Sequence, residues 1–351
     1  MSGGRMVGVV TLAMKRCWAA PAAAVALFLG GGPATPIAAQ ALGETHVLIV
    51  TGIPGEPRFA TAFHDQSRAL AGALVDRHGI PRERITILAA DPSRDPSWIS
   101  ARATRPEISK AIARIRLAAA PDDRMLLVLI GHGSGSGTNA RINISGPDLS
   151  ASELARELAS FAPRTIAVVN TASASGDFAN VLAGDNRIII TATASAQERN
   201  ETIFAEHFVA AFTGDGADAD KDGRLSLLEA YRYAQREVQR VYERDNRLLT
   251  EHARLEDDGD GRGTASPDDD SGDGALARRF VLGGGAIAAR AASDTVLAGL
   301  LRQRAALEQR VEALRARKDS MDAATYEREL ETLLVRLAEV DQAARAREGK
   351  P

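Results

Sequence analysis

Five short apolar runs decide what this chain can fold into. HVLIVTG (46–52), ITILAA (85–90), MLLVLIGHG (125–133), TIAVVN (165–170) and RIIITAT (187–193) are rich in β-branched residues, nearly unbroken in hydrophobicity and closed by turn residues. Strands read this way when both of their faces are buried. Between the runs lie amphipathic stretches at 58–78, 105–119, 150–161 and 174–184, with another at 202–212. The alternation predicts an α/β domain of three layers, a parallel sheet covered by helices on both faces with right-handed crossovers.

Composition narrows the function classes. The chain has 351 residues, 45% hydrophobic and 25% charged, which is globular and excludes wholesale disorder or a collagen-like repeat. With 43 basic against 46 acidic side chains the net charge is −3, without the basic excess of a nucleic-acid binder. The length suits one large domain with an appendage, or two modest domains.

The only cysteine, Cys17, sits in a stretch that reads as removable. Residues 1–41 carry Arg5, Lys15 and Arg16, no acid, then the apolar run WAAPAAAVALFLG at 18–30 and a small-x-small signal at Ala39 and Ala41. That is the three-part pattern of a secretory signal peptide, with Pro21 interrupting a core too short to span comfortably. Export to the periplasm or the extracellular space is therefore expected, and the membrane is a partner only if the leader stays uncleaved as an anchor. Cleavage after Ala41 would bring the net charge to −6 and leave a chain with no thiol at all. A cysteine-free exported protein must hold itself together with its core, and no disulfide, thiolate metal site or cysteine nucleophile is open to it.

Beyond the α/β region, assigned to 44–255, the composition shifts twice. Residues 256–275 (EDDGDGRGTASPDDDSGDGA) are acidic and Gly-rich, so 256–285 is expected to be a linker. In 286–348, Leu297, Leu300, Leu307, Val311 and Leu314 recur at helical steps, as do Tyr326, Leu330, Leu333, Leu337 and Val340 after a polar break at Asp319–Asp322. Two such stripes predict an antiparallel helical hairpin, either docked on its own domain or self-associating as a coiled coil. Arg304 falls on the first stripe and is expected to weaken that seam.

In open parallel sheets, functional groups gather at the carboxyl ends of the strands. The third apolar run leads into Gly131-His132-Gly133-Ser134-Gly135, placing a histidine between glycines at a strand end. The fourth leads into Asn170-Thr171-Ala172-Ser173-Ala174-Ser175-Gly176-Asp177-Phe178, small and hydroxyl residues entering a helix N-terminus that would stabilise an oxyanion. The ordered pair resembles the legumain and caspase group of cysteine peptidases, which carry a strand-end His-Gly followed by a strand ending near x-Cys-x-Ser-Gly. The resemblance covers 46–250, and HGIPRERITIL (78–88) and ATRPEISKAI (103–112) are similar to legumain segments. It implies that His132 is the general base, that Gly133 supplies an oxyanion-hole N–H, and that Ser173 stands where the nucleophilic cysteine belongs. The departure is severe. A thiol with pKa near ~8.5 ionises beside a histidine, whereas a serine hydroxyl needs a base oriented by a third group, and no acid partner for His132 is evident. Nor does the chain contain a G-x-S-x-G elbow. Two readings follow: a peptidase fold retained for binding a protein or peptide partner, or a hydrolase that uses Ser173. Ser134, Ser136 and Ser175 read as turn residues.

A second pattern points to a cation. Residues 218–229 read D-A-D-K-D-G-R-L-S-L-L-E. Asp218, Asp220 and Asp222 take loop positions 1, 3 and 5, Gly223 the sharp turn, Arg224 the carbonyl at 7, Ser226 position 9 and Glu229 the bidentate position 12. The segment resembles an EF-hand loop and implies a structural Ca²⁺, although Thr213–Gly216 separate it from the preceding helix. A second acidic run has Asp258, Asp260 and Gly261 at fitting offsets, but Pro267 occupies the place of the terminal Glu, so the run reads as a weak calcium-responsive loop. The six histidines show no i,i+3 or i,i+4 pairs and no HExxH occurs, so zinc chemistry has no support. TGIPGEP (51–57) is neither a P-loop nor a dinucleotide fingerprint.

Overall fold

The computed structural model describes residues 44–161, 165–221, 224–267, 272–282, 293–315 and 317–348. The expected leader 1–41 with Cys17, and Asp222 and Gly223 of the acidic loop, lie outside the described residues.

The strands in chain order are β1 (Thr45–Thr51), β2 (Ile85–Ala89), β3 (Ile99–Arg102), β4 (Arg124–Ile130), β5 (Gly133–Ser134), β6 (Arg141–Ile142) and β7 (Leu149–Ser150). They continue with β8 (Ile166–Asn170), β9 (Arg187–Thr191), β10 (Leu225–Ser226), β11 (Arg254–Glu256) and β12 (Val281–Leu282). The helices are α1 (Pro57–Asp76), α2 (Arg105–Ala118), α3 (Ala151–Leu158), α4 (Asp177–Leu182), α5 (Phe204–Thr213), α6 (Leu227–Arg244) and α7 (Ala275–Arg279). Two longer ones close the chain, α8 (Thr295–Arg315) and α9 (Ala323–Glu348).

Seven strands form the central sheet in the order β11-β9-β8-β4-β1-β2-β3, parallel throughout except for β11, which runs antiparallel to β9. Alternate residues of each strand serve opposite faces. Val47, Ile49, Leu126, Val128, Ala167, Val169, Ile188 and Ile190 pack with α1, α5 and α6, while Leu48, Val50, Leu127, Leu129, Val168 and Ile189 pack with α2, α3 and α4. All five apolar runs are strands of this sheet, buried on both faces, and the α/β class stands. The order reverses between β1 and β4: β2 and β3 extend one side of β1, β4, β8 and β9 the other. A crevice opens at the carboxyl ends of strands at such a reversal.

Two sheet strands carry no apolar run. Strand β3 lies at the edge with only Ile99 buried, and β11 is three residues long. The latter overturns the linker expected for 256–285. Its described part folds into the domain: Glu256 ends β11, Asp257 accepts from the N–H groups of Gly274 (2.7 Å) and Ala277 (2.6 Å) at the start of α7, and β12 pairs antiparallel with β10. Few large apolar groups are needed because carboxylates satisfy the backbone there.

Helices α8 and α9 form the hairpin, with Leu307, Val311, Leu314, Leu333 and Val340 buried between them. Arg304 sits inside this seam at 6% exposure, and its Nη1 donates to Asp341 Oδ1 at 3.0 Å. The interruption on one stripe is thus matched by a partner on the other. No helix among the described residues is long and apolar enough to cross a membrane.

Candidate active site and cation loop

At the sheet reversal, Gly52 follows β1 and Gly131-His132-Gly133 follows β4. Backbones converge here closely enough to dictate glycine. A Cβ on Gly52 would fall inside 3.0 Å of the Asn143 carbonyl oxygen, and one on Gly133 inside 3.0 Å of the Ser173 carbonyl oxygen. The Asn143 N–H donates to the His132 carbonyl (2.9 Å) and Ser134 Oγ donates to Asn143 Oδ1 (2.9 Å), which fixes the histidine backbone. The His132 ring meets Phe59 and Phe63 of α1 edge-on, with centroids 4.5 and 5.3 Å away. Its Nε2 donates to the Pro54 carbonyl at 3.2 Å. A carbonyl can only accept, so Nε2 carries a proton, and in the neutral ring Nδ1 is the acceptor. The group that orients His132 is therefore a backbone carbonyl.

Ser173 is reached from the other side. Strand β8 ends at Asn170, whose Oδ1 accepts from the Ala172 N–H at 3.1 Å, and the chain then turns through Ala174, buried with φ 51. A positive φ costs an alanine about 1 kcal/mol or more, and surrounding bonds hold it there. The Ala174 N–H donates to the Glu198 carbonyl (2.8 Å), while Thr193 Oγ1 accepts from the N–H groups of Ser175 (2.8 Å) and Gly176 (3.1 Å). Ser175 Oγ in turn accepts from the Thr193 N–H at 3.3 Å. Gly176 is obligatory because a Cβ would fall inside 3.0 Å of the Ala194–Ser195 peptide.

Both sequence-selected side chains line one recess of about 390 Å³, counted with its open mouth, together with Phe59, Phe63, Gln66, Thr171, Glu201 and Thr202. Arg58 Nη1 donates to Glu201 Oε2 at 3.0 Å across the exposed rim. Ser173 is 6% exposed, and its Oγ accepts from the Gly133 N–H at 3.4 Å. No hydrogen bond joins His132 to Ser173 among the described residues. The Ser173 N–H has no acceptor among the described residues, and it lies beside the hydroxyl together with the Gly133 N–H that donates to it.

Sequence reasoning missed the groups that support the recess. The Pro54 carbonyl belongs to the backbone and leaves no side-chain signature. Glu251 lies 58 residues past Thr193 in no recognisable motif, yet its buried carboxylate accepts from the N–H groups of Ile203 (3.0 Å) and Phe204 (3.1 Å) at the start of α5. Burial pushes this carboxyl above the usual range, against the pull of those donors and of Tyr242.

The acidic loop places Asp218, Asp220 and Glu229 with one carboxylate oxygen each inside a span of 4.8 Å. Ser226, at position 9 of the loop, is held by Glu229. It is the N-cap of α6: its Oγ accepts from the Glu229 N–H (3.2 Å) and donates to Glu229 Oε2 (2.7 Å). Glu229 Oε1 accepts from the Ala219 N–H at 3.0 Å, which folds the loop back on its helix. Arg224 enters β10, which pairs with β12 instead of with a second calcium loop. The hard oxygen donors fit Ca²⁺; Asp222, the third expected carboxylate, lies outside the described residues.

No family model matches the chain and no curated protein matches it significantly in sequence. Among solved structures it is similar to the Drosophila initiator caspase Dronc, with 11% identity and a TM-score of 0.40 over 64% of this chain and 87% of that one. It is also similar to pro-sf-caspase-1, with 13% identity and a TM-score of 0.35 over 57% and 83%.

Proposed function

We propose that this chain is an exported homologue of the caspase and legumain peptidases that holds a peptide or protein segment in its recess without cleaving it. The observation that carries the reading is the separation of roles at the strand ends. His132 donates to Pro54, and the Ser173 hydroxyl faces the Gly133 N–H instead of a base. Cysteine peptidases work from a thiolate that exists before substrate arrives; a hydroxyl has no such reserve and depends on direct contact with its base. The recess has aromatic walls and a charged rim suited to an extended segment.

Asp218, Asp220 and Glu229, with Asp222 and the Arg224 carbonyl, would hold Ca²⁺, which when bound cross-links the loop to the first turn of α6. The hairpin of α8 and α9 supplies a second contact surface, to a partner or to another copy of the chain.

One observation favours a second reading. The Gly133 and Ser173 N–H groups are the two donors an oxyanion hole needs, and Nδ1 of His132 is free to accept a proton. In that case Ser173 is a nucleophile and the chain is a hydrolase. Fluorophosphonate labelling of the purified chain separates the two: no labelling supports the binding reading, and labelling lost in Ser173→Ala establishes the hydrolase.

A further inference from the structure

The second acidic run, which reads in sequence as a weak calcium-responsive loop for want of a terminal Glu, is rebuilt by the fold. Glu256, Asp258 and Asp260 occupy the alternating offsets that Asp218, Asp220 and Asp222 hold in the first loop, and Gly261 takes the turn position. One carboxylate oxygen from each of the three lies within 4.8 Å of the others. Glu256 differs from an ordinary surface acid. It ends β11, paired with Ile189 of β9, and is 0% exposed. Its Oε1 accepts from the N–H groups of Gly259 (2.8 Å) and Gly261 (3.2 Å), while its Oε2 is buried with no hydrogen-bond partner. No Arg or Lys forms an ion pair with Glu256, Asp258 or Asp260 among the described residues. A buried carboxylate oxygen lacking both donor and counter-charge is strongly disfavoured, and natural folds resolve it with a partner or a metal.

We propose that Glu256, Asp258 and Asp260 form a second divalent-cation site that takes Ca²⁺. All three donors are hard oxygens, with no nitrogen or sulfur at the cluster, and two of them face solvent, so water can complete the six to eight ligands that Ca²⁺ takes. With no bidentate Glu at the twelfth place, the site is weaker than a complete EF-hand loop and belongs to the millimolar class of extracellular modules. The loop lies against α4: a Cβ on Gly261 would sit 3.0 Å from Asn180 Nδ2, and one on Gly259 3.7 Å from Gly184. A cation here would order the loop that packs against the helix leaving the Ser173 turn. The inference is independent of whether that turn binds or cleaves.

Calorimetric titration of the chelator-treated full chain with Ca²⁺ alone tests it. The wild type is expected to bind two ions, and Asp218→Asn/Asp220→Asn to keep one. That remaining ion is lost when Asp258→Asn/Asp260→Asn is added, exposed changes that leave the Oδ1 acceptors in place, and its affinity falls at least tenfold in Glu256→Gln. A single wild-type ion lost only with Asp258→Asn/Asp260→Asn would still support the site. The proposal is overturned if Asp218→Asn/Asp220→Asn abolishes all binding, if the residual ion survives Asp258→Asn/Asp260→Asn, or if the wild type binds none.

Discussion

Gly133→Ala isolates the backbone convergence on which the candidate site depends. The new methyl would meet the Ser173 carbonyl oxygen inside the 3.0 Å that real Cβ contacts keep, and the Arg141 carbonyl oxygen at 3.2 Å. Neither obstacle is a side chain that can rotate away, so strand β5 or the Ser173 turn must move by close to an ångström. Overpacking of this kind costs about 1–3 kcal/mol, and the upper half applies when main chain resists. For a domain of this size that lowers Tm by roughly 4–10 °C. Gly72→Ala is the matched control. It adds the same methyl in the interior of α1, where nothing lies within 4 Å, and removes helix-interior glycine, which stabilises by about 0.5–1 kcal/mol. Urea unfolding should therefore shift in opposite directions for the two variants. Equal midpoints, or a Gly133→Ala cost under about 0.5 kcal/mol, would refute the claim that the His132 and Ser173 strand ends touch through their backbones.

Three further outcomes follow from the same contacts. Burial lowers the His78 pKa below 6.5 while its Nε2 donates to the Phe212 carbonyl at 3.1 Å, so the folded state binds fewer protons than the unfolded one below that pH. His78 thus contributes stability that is present above pH 6.5 and lost as pH falls below it, and the stability gap between wild type and His78→Gln should narrow from about pH 7.5 to about pH 5.5 in paired urea titrations. Asp341→Leu leaves the Arg304 guanidinium buried without this partner and should cost the hairpin about 3 kcal/mol by far-UV circular dichroism, whereas Arg304→Leu/Asp341→Leu should recover most of it. Glu229→Gln weakens three contacts, from the Ser226 N–H, the Ser226 hydroxyl and the Ala219 N–H, and should lower stability by about 1 kcal/mol in chelator. It should also remove the first loop's Ca²⁺-dependent rise in Tm, worth about 2.7 kcal/mol at a hundredfold excess over Kd, read from melts with and without Ca²⁺.

The sheet was legible because its five long strands are buried on both faces, which leaves few positions for polar residues and produces nearly unbroken apolar runs. Edge strand β3 exposes half of its residues, and β11 is short and flanked by acids, so neither left a pattern. His132 and Ser173 were legible through their glycine and hydroxyl neighbours, and the structure supplies the reason for two of those glycines, Gly133 and Gly176, in the backbone atoms they touch. What orients them was not legible. The Pro54 carbonyl is common to every peptide, and Thr193 and Glu251 act from other elements that only folding brings near. The acidic stretch after residue 255 was misread for a related reason: its carboxylates are structural acceptors for N–H groups, which in sequence is indistinguishable from a solvated linker.

Peptide turnover across three versions of one position is the most direct measurement of the central claim. Wild type, Ser173→Ala and Ser173→Cys would be assayed with Ca²⁺ present against a pooled fluorogenic peptide library. The account predicts no turnover by wild type or Ser173→Ala, and measurable turnover by Ser173→Cys, where a thiol regains a base it need not touch beforehand. Cleavage by the wild type that disappears in Ser173→Ala would contradict it.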